Sequence, residues 1–260
     1  MLLKHKSIMI IGASSGIGRE LAVQLAQRGN RLLLLARREQ LLAQLADELP
    51  RDPLGHRWYP CDVGIPEQVQ SVCERLAGDQ VDVLLYNAGV SYGFNARDID
   101  LDAFRQLMDI NFFGFVGFAK YWVPRLIEQG GGIIAVNGSL AGYRGMPAAA
   151  AYSASKGALM NFIDSLRIDL RRHHIRCTLI SPGFVDTPMT AVRRSPMPFM
   201  ISAERAARII IRGLERGKTE IRFPWPTAAA ASFARRLPDR LYAWMMQSRR
   251  FEKQIPESSI

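Results

Sequence analysis

The stretch IMIIGASSGIGRELAVQLAQR, residues 8–28, decides the fold. It opens with four apolar residues, Ile8 to Ile11, with no polar residue between them. It then breaks at a turn carrying Gly12, Gly16 and Gly18, and resumes from Ile17 to Arg28 with apolar side chains at helical spacing. An apolar run without alternation reads as a strand buried on both faces, and such strands belong to parallel sheets covered by helices on both sides.

The same unit recurs along the chain. Leu32–Leu35, Val81–Leu85, Ile133–Val136 and Cys177–Ile180 read as further buried strands, and a third strand in chain order ends near Cys61. Between them the spacing predicts helices near Ile17–Arg28, Arg38–Leu49, Glu67–Leu76, Leu101–Glu128 and Ala151–Arg172. Parallel neighbours require crossover connections, so the alternation implies an α/β fold, a doubly wound, Rossmann-like parallel sheet in a single domain. A length of 260 residues suits one such domain.

Composition narrows the function. Lys and Arg exceed Asp and Glu by 34 to 24, and the excess is segregated: residues 171–260 hold 17 basic against 7 acidic side chains, while the first 170 are balanced. A segregated basic surface suggests an anionic partner, and no nucleic-acid recognition motif accompanies it, so no nucleic acid is expected. The three cysteines, Cys61, Cys73 and Cys177, are widely spaced and show no metal-ligand pattern, so no metal site is expected. No apolar run approaches the ~18 residues that span a bilayer, and the N-terminal apolar run is too short for a secretory signal, so a cytoplasmic location is expected.

In a doubly wound sheet, ligands bind beyond the carboxyl ends of the strands, so chemistry is sought just after each apolar run. After the first comes Gly12-Ala-Ser14-Ser15-Gly16-Ile17-Gly18, where glycines let the backbone approach a pyrophosphate that helix N-terminal amides can meet. After the second come Arg37 and Arg38, where an acid would select the 2′-hydroxyl of NAD(H); with two guanidiniums instead, the expected cofactor is NADP(H). Cys61-Asp62-Val63, Asn87-Ala88-Gly89, Asn137-Gly138-Ser139 and Pro182-Gly183 follow the others. Tyr152 and Lys156 stand one helical turn apart on one face, surrounded by alanine, serine and glycine. A phenol is a poor acid–base group near neutrality unless a cation stabilises its anion, and Lys156 is spaced to do so.

Taken together, GASSGIG, the NAG triplet at 87–89, Ser139 thirteen residues before Tyr152, the Tyr-x-x-x-Lys pair and Pro182-Gly183 with Thr187 beyond resemble the short, single-domain members of the short-chain dehydrogenase/reductase family. The resemblance runs from about Ser7 to Pro188, with two departures: Ile11 where the family often has threonine, losing a hydroxyl that braces the NAG segment, and Tyr86 where asparagine is common. It implies hydride transfer between a nicotinamide and a carbonyl or secondary alcohol, with Tyr152 as proton donor and Ser139 holding the substrate oxygen. It further implies that Lys156 binds the nicotinamide ribose and that Asn111 anchors a water in the proton relay. Val185 and Thr187 are assigned to the carboxamide, Asp62 and Val63 to the adenine, and the helices at Leu101–Glu128 and Ala151–Arg172 to a homodimer or homotetramer. A non-catalytic NADP(H)-binding sensor or scaffold is the competing reading, against which the complete Ser-Tyr-Lys set argues.

The chain divides into a cofactor-binding and catalytic core at 1–188, a substrate lid and helix at 189–217, and a last strand with a basic tail at 218–260. Met189, Met197, Phe199 and Met200 make the lid apolar and favour a lipophilic small-molecule substrate, while Arg193 and Arg194 could hold an acidic group or remain solvated. In the tail, Pro238 opens a predicted helix whose Leu241, Trp244, Met245 and Ser248 share one side, flanked by Tyr242 and Met246 and surrounded by Arg235, Arg236, Arg240, Arg249 and Arg250. Two expectations stand for that stripe: it closes the pocket or packs on a neighbouring subunit, or it rests peripherally on an anionic membrane.

Overall fold

Residues 2–53, 55–191 and 197–247 are described by the structure, a computed structural model. Strand β1 (Ser7–Ile11) leads through the glycine turn into α1 (Gly16–Ala26). Then follow β2 (Arg31–Ala36), α2 (Glu39–Glu48), β3 (Arg57–Pro60), α3 (Pro66–Arg75) and β4 (Val83–Tyr86). Next come α4 (Leu101–Met108), α5 (Gly114–Glu128), β5 (Gly132–Asn137), α6 (Ala150–Asp169) and β6 (Ile175–Pro182). The chain finishes with β7 (Val185–Asp186), α7 (Pro188–Ala191), β8 (Ile201–Ser202), α8 (Ala203–Glu215), β9 (Glu220–Phe223), α9 (Trp225–Arg236) and α10 (Asp239–Met246).

Seven strands form one parallel sheet in the order β3-β2-β1-β4-β5-β6-β9, and β7 pairs with β8 in a small second sheet. β1 lies between β2 and β4, with Ile8 opposite both Leu32 and Val83. The strand order reverses there, and such sheets bind ligands beyond the carboxyl ends of the strands at that reversal.

Successive strand residues enter opposite layers, which is why the strands read as unbroken apolar runs. Ile8, Ile10, Leu32 and Leu34 pack with Leu21 and Leu25 of α1 and Ile210 and Leu214 of α8. Met9, Ile11, Leu33 and Leu35 pack on the other side with Val72 of α3, Phe118 and Trp122 of α5, and Leu159 and Ile163 of α6. Each fully buried leucine or isoleucine contributes roughly 1.5–3 kcal/mol, so both layers are needed to stabilise the sheet.

Two expected elements differ. The long helix over Leu101–Glu128 is interrupted by a π-turn at Asp109–Phe113, where the Gly114 N–H reaches back five residues to the Asp109 carbonyl. The extra residue re-phases the helix and turns Asn111 inward. The buried Tyr86 hydroxyl donates to the Ile110 carbonyl at 2.5 Å, and a Cβ on Gly114 would collide with it, so Tyr86 and Gly114 fit the turn together. The helix expected to reach Arg172 ends at Asp169 and closes through a 3-10 turn at Arg171–His173, with His174 left-handed at φ 57°.

The tail forms two helices. Pro238 is the residue before α10 rather than its first. The Arg144 guanidinium ties the junction down, donating to the carbonyls of Ala234 and Leu237 at 2.7 Å each and to Asp239 at 2.6 Å, and it lies 4.0 Å from the Tyr242 ring centroid. The Tyr242 hydroxyl donates to the Gly145 carbonyl at 2.6 Å. Leu241, Trp244 and Met245 remain exposed and do not close the pocket within the chain, because polar contacts on the opposite side of α10 set its orientation; packing on a neighbouring subunit and contact with a membrane are the expectations left for the stripe. Ser248, Arg249 and Arg250 lie outside the described residues, as do Arg193 and Arg194. No helix among the described residues is long and apolar enough to cross a membrane.

Candidate active site

The glycine turn fits closely against the segment after β4. Gly12 has φ 87°, and a Cβ there would sit 2.6 Å from the Ala88 nitrogen; a Cβ on Gly18 would fall on the Gly12 carbonyl oxygen. Gly16, at φ 56°, lies under Thr187, whose Cγ2 would be 3.0 Å from an added Cβ. Ile17 and Val185 are buried in the core layer below. The turn therefore brings Gly12, Gly16 and Gly18 together with Asn87-Ala88-Gly89 and Thr187. Helix α1 starts after Ser15 without a side-chain cap, so its first N–H groups have no side-chain acceptor.

Asn87 is braced without the hydroxyl that Ile11 lacks. Its Nδ2 donates to the Gly12 carbonyl at 3.1 Å, its Oδ1 accepts from Asn137 Nδ2 at 2.8 Å, and its main-chain N–H donates to the Ile11 carbonyl at 2.8 Å. Asn137, to which the sequence assigns no role, joins the two sides of the candidate site, its side chain bonded to Asn87 and its carbonyl to Lys156. Its position beside β4 in the parallel sheet was the available signal.

The two arginines after β2 behave differently. Arg38 Nη2 donates to the hydroxyls of Ser14 at 3.0 Å and Ser15 at 2.6 Å, placing its guanidinium over the glycine turn. Arg37 lies 3.7 Å from Asp62, whose other carboxylate oxygen accepts from the Gly64 N–H at 3.0 Å. Val63 is buried beneath α5, so any contact with an adenine would come from its main chain.

On the other side of the crevice stands α6. Lys156 is buried; its Nζ donates to the Asn137 carbonyl at 2.9 Å and lies 5.8 Å from the Tyr152 ring centroid. Burial pushes its pKa down to about 8, because the ammonium has lost its water. Gly89 allows this approach, since a Cβ there would be 3.3 Å from Nζ. Ser139, also buried, begins a 3-10 turn at Leu140–Gly142 by accepting the Ala141 N–H at 3.1 Å. That turn packs on α6 through Gly142, where a Cβ would strike Met160 and the Lys156 backbone.

Asn111 holds these parts in register. Its Oδ1 accepts the Val90 N–H at 2.8 Å, and its Nδ2 donates to the Val90 carbonyl and the Ser155 hydroxyl, each at 3.0 Å. Both amide protons are used, so Asn111 can meet a water only through a carbonyl oxygen. Pro182 and Gly183 end β6 against β9, where the Gly183 N–H donates to the Phe223 carbonyl at 2.7 Å and a Cβ on Gly183 would be 3.4 Å from Leu140.

A doubly wound sheet with a glycine cradle at its switch point and a tyrosine–lysine pair beside a serine defines a class of nucleotide-dependent oxidoreductases. The family model "short chain dehydrogenase" matches residues 6–198. An uncharacterized oxidoreductase of Myxococcus xanthus is 35% identical over 246 residues, covering 92% of this chain and 96% of the relative. A sulfoacetaldehyde reductase of Chromohalobacter salexigens is 38% identical over 190 residues, covering 72% and 75%. Among solved structures, a short chain dehydrogenase from Burkholderia cenocepacia in complex with NADP aligns with a TM-score of 0.81 at 24% identity, over 95% of this chain and 99% of that one. A Burkholderia phymatum relative in complex with NAD also aligns at 0.81, with 23% identity and 94% and 96% coverage. The chain belongs to the short-chain dehydrogenase/reductase family of oxidoreductases.

Proposed function

We propose that the chain is an NADP(H)-dependent enzyme interconverting a carbonyl and a secondary alcohol on a lipophilic substrate. The observation that carries this reading is the buried Lys156 one turn from Tyr152, set between the glycine cradle and the Ser139 turn. The cradle fits the cofactor: Gly12, Gly16 and Gly18 let the turn pack closely on Asn87, Ala88 and Thr187, and the uncapped start of α1 offers N–H donors to a pyrophosphate. Asn87, Ala88 and Gly89 would line the same groove, with Thr187 and the main chains of Ile17, Gly183 and Val185 beside it. Arg38, held over Ser14 and Ser15, would meet a 2′-phosphate, and Arg37 with Asp62 would border the adenosine. NADP and NAD both occur among the structural neighbours, so the preference rests on these arginines.

When bound, the nicotinamide supplies or accepts the hydride. In the reducing direction the Ser139 hydroxyl donates a hydrogen bond to the substrate carbonyl oxygen, and Tyr152 delivers its phenolic proton to that oxygen as negative charge develops. Lys156, charged below pH 8, stabilises the phenolate left behind. Asn111 keeps Val90 and Ser155 in place and offers a carbonyl to a water that re-protonates the tyrosine. The apolar Met189, Phe199 and Met200, all exposed beside β7 and β8, would cover a hydrophobic substrate. Exposed Leu101, Phe113 and Ile168 on the α4–α6 side suit pairing between subunits of a homodimer or homotetramer.

The test is oxidation of NADPH, followed by absorbance, against a panel of hydrophobic aldehydes and ketones. Tyr152→Phe should keep cofactor affinity and lose nearly all turnover. Retention of more than about a tenth of the activity would make another group the acid, and no turnover from a cofactor-loaded chain would leave the sensor reading.

A further inference from the structure

The outer faces of α9 and α10 expose large apolar side chains that nothing among the described residues covers. Trp225 is 80% exposed, Phe233 64% and Trp244 73%, with Leu241 and Met245 also in solvent. On α9, Trp225, Ala229, Phe233 and Arg236 fall on one stripe at spacings of four, four and three. On α10, Tyr242 packs inward on Arg144 and Gly145 and Asp239 bonds to Arg144 at the helix start, which leaves Arg240, Leu241 and Trp244 outward. Arg236 and Arg240 have no acidic partner among the described residues, and the acid between them, Asp239, is taken by Arg144.

We propose that this surface docks on an anionic lipid bilayer. Indoles prefer the level of the headgroups, where the ring is apolar and the N–H is wet, and guanidiniums pair with lipid phosphates in forked geometry. A second copy of the chain is disfavoured by charge. A two-fold contact places the same patch against itself, bringing Arg236 and Arg240 towards their own counterparts. The docked chain would hold the loop after Ser139 close to the bilayer with α10 between them, because Arg144 joins that loop directly to the α9–α10 junction. This inference does not depend on the catalytic reading, and its test needs no turnover.

The full chain is floated at low salt with phosphatidylcholine vesicles containing about a third phosphatidylserine, and with phosphatidylcholine vesicles alone. The anionic vesicles should bind it at least about tenfold better, and raised salt should release it. R236A/R240A should lower the partition coefficient about twenty-five-fold, from roughly fivefold for each arginine near the surface. W225S/W244S should lower it at least about tenfold. All four positions are exposed, so the variants should melt with the parent. Chain left in the supernatant with anionic vesicles, equal binding to both vesicle types, or an arginine variant within about twofold of the parent overturns the proposal. A dimer in light scattering that W225S/W244S splits, without vesicle binding, makes the surface an interface between copies instead.

Discussion

Replacing Lys156 with methionine should alter how stability depends on pH in a direction that few substitutions produce. The lysine pKa falls from 10.5 to about 8 on burial, so the folded state resists its protonation while the unfolded chain does not. Below pH 8 this costs the wild type about 3 kcal/mol, from 1.36 kcal/mol per unit of displacement. Between pH 8 and 10.5 the unfolded state binds more protons than the native one, so this contribution raises stability as pH rises. Methionine keeps the length and removes the charge, but leaves the Asn137 carbonyl without its donor, at about 1–3 kcal/mol independent of pH. At pH 7 the two effects nearly cancel, or favour the variant. By pH 10 most of the lysine penalty has gone, and the wild type should gain about 2–3 kcal/mol on the variant. The other strongly shifted groups act oppositely. Burial pushes Cys61 to about 12, Cys73 and Cys177 to about 11, and Tyr86 well above its usual value, so their contributions are lost as pH rises; they are common to both chains and cancel in the difference. Urea unfolding of both chains at pH 7 and pH 10, at one protein concentration, reads the quantity directly. A stability difference that moves by less than about 0.5 kcal/mol between the two pH values would show that Lys156 carries no burial penalty.

Arg38→Ala should weaken NADPH binding at least about tenfold while changing NADH binding little, and Arg37→Ala should have the smaller effect; fluorescence titration of both cofactors checks this, and equal losses for the two cofactors would remove the 2′-phosphate assignment. Gly18→Ala should destabilise the chain by about 3 kcal/mol, because its Cβ falls on the Gly12 carbonyl; thermal melting measures it, and an unchanged midpoint would refute the close packing of the turn. Light scattering at micromolar concentration should find a dimer or tetramer, and a species of only 29.1 kDa would refute pairing through the α4–α6 side.

The sheet was readable because each inner strand is apolar on both faces, and the site because ligand-binding residues follow those strands in chain order. β3 was harder: Arg57-Trp58-Tyr59-Pro60 is the edge strand beside β2 with only Tyr59 buried, so it lacks the apolar run that marked the others. The π-turn was hidden because a five-residue return leaves helical composition unchanged; what creates it is the pairing of Tyr86, Gly114 and Asn111 across 28 residues. Long-range polar contacts were equally invisible. Arg144 read as an ordinary loop residue, although its guanidinium fixes a helix junction ninety positions on. Arg38 rather than Arg37 faces the glycine turn because side-chain direction at a strand's end depends on the exit angle of the chain, which composition does not encode.

Strand order in the sheet differs from order along the chain, and this has a consequence for synthesis. β6 is the longest strand, and seven of its eight residues are buried. Its outer edge is covered by β9, which begins at Glu220, 38 residues after β6 ends at Pro182. While a ribosome adds those residues at roughly 5–20 per second, a long apolar edge with unpaired backbone groups stands open for about 2–8 seconds. Any condition that slows translation across Gly183–Thr219 prolongs the interval in which two nascent chains can pair edge to edge.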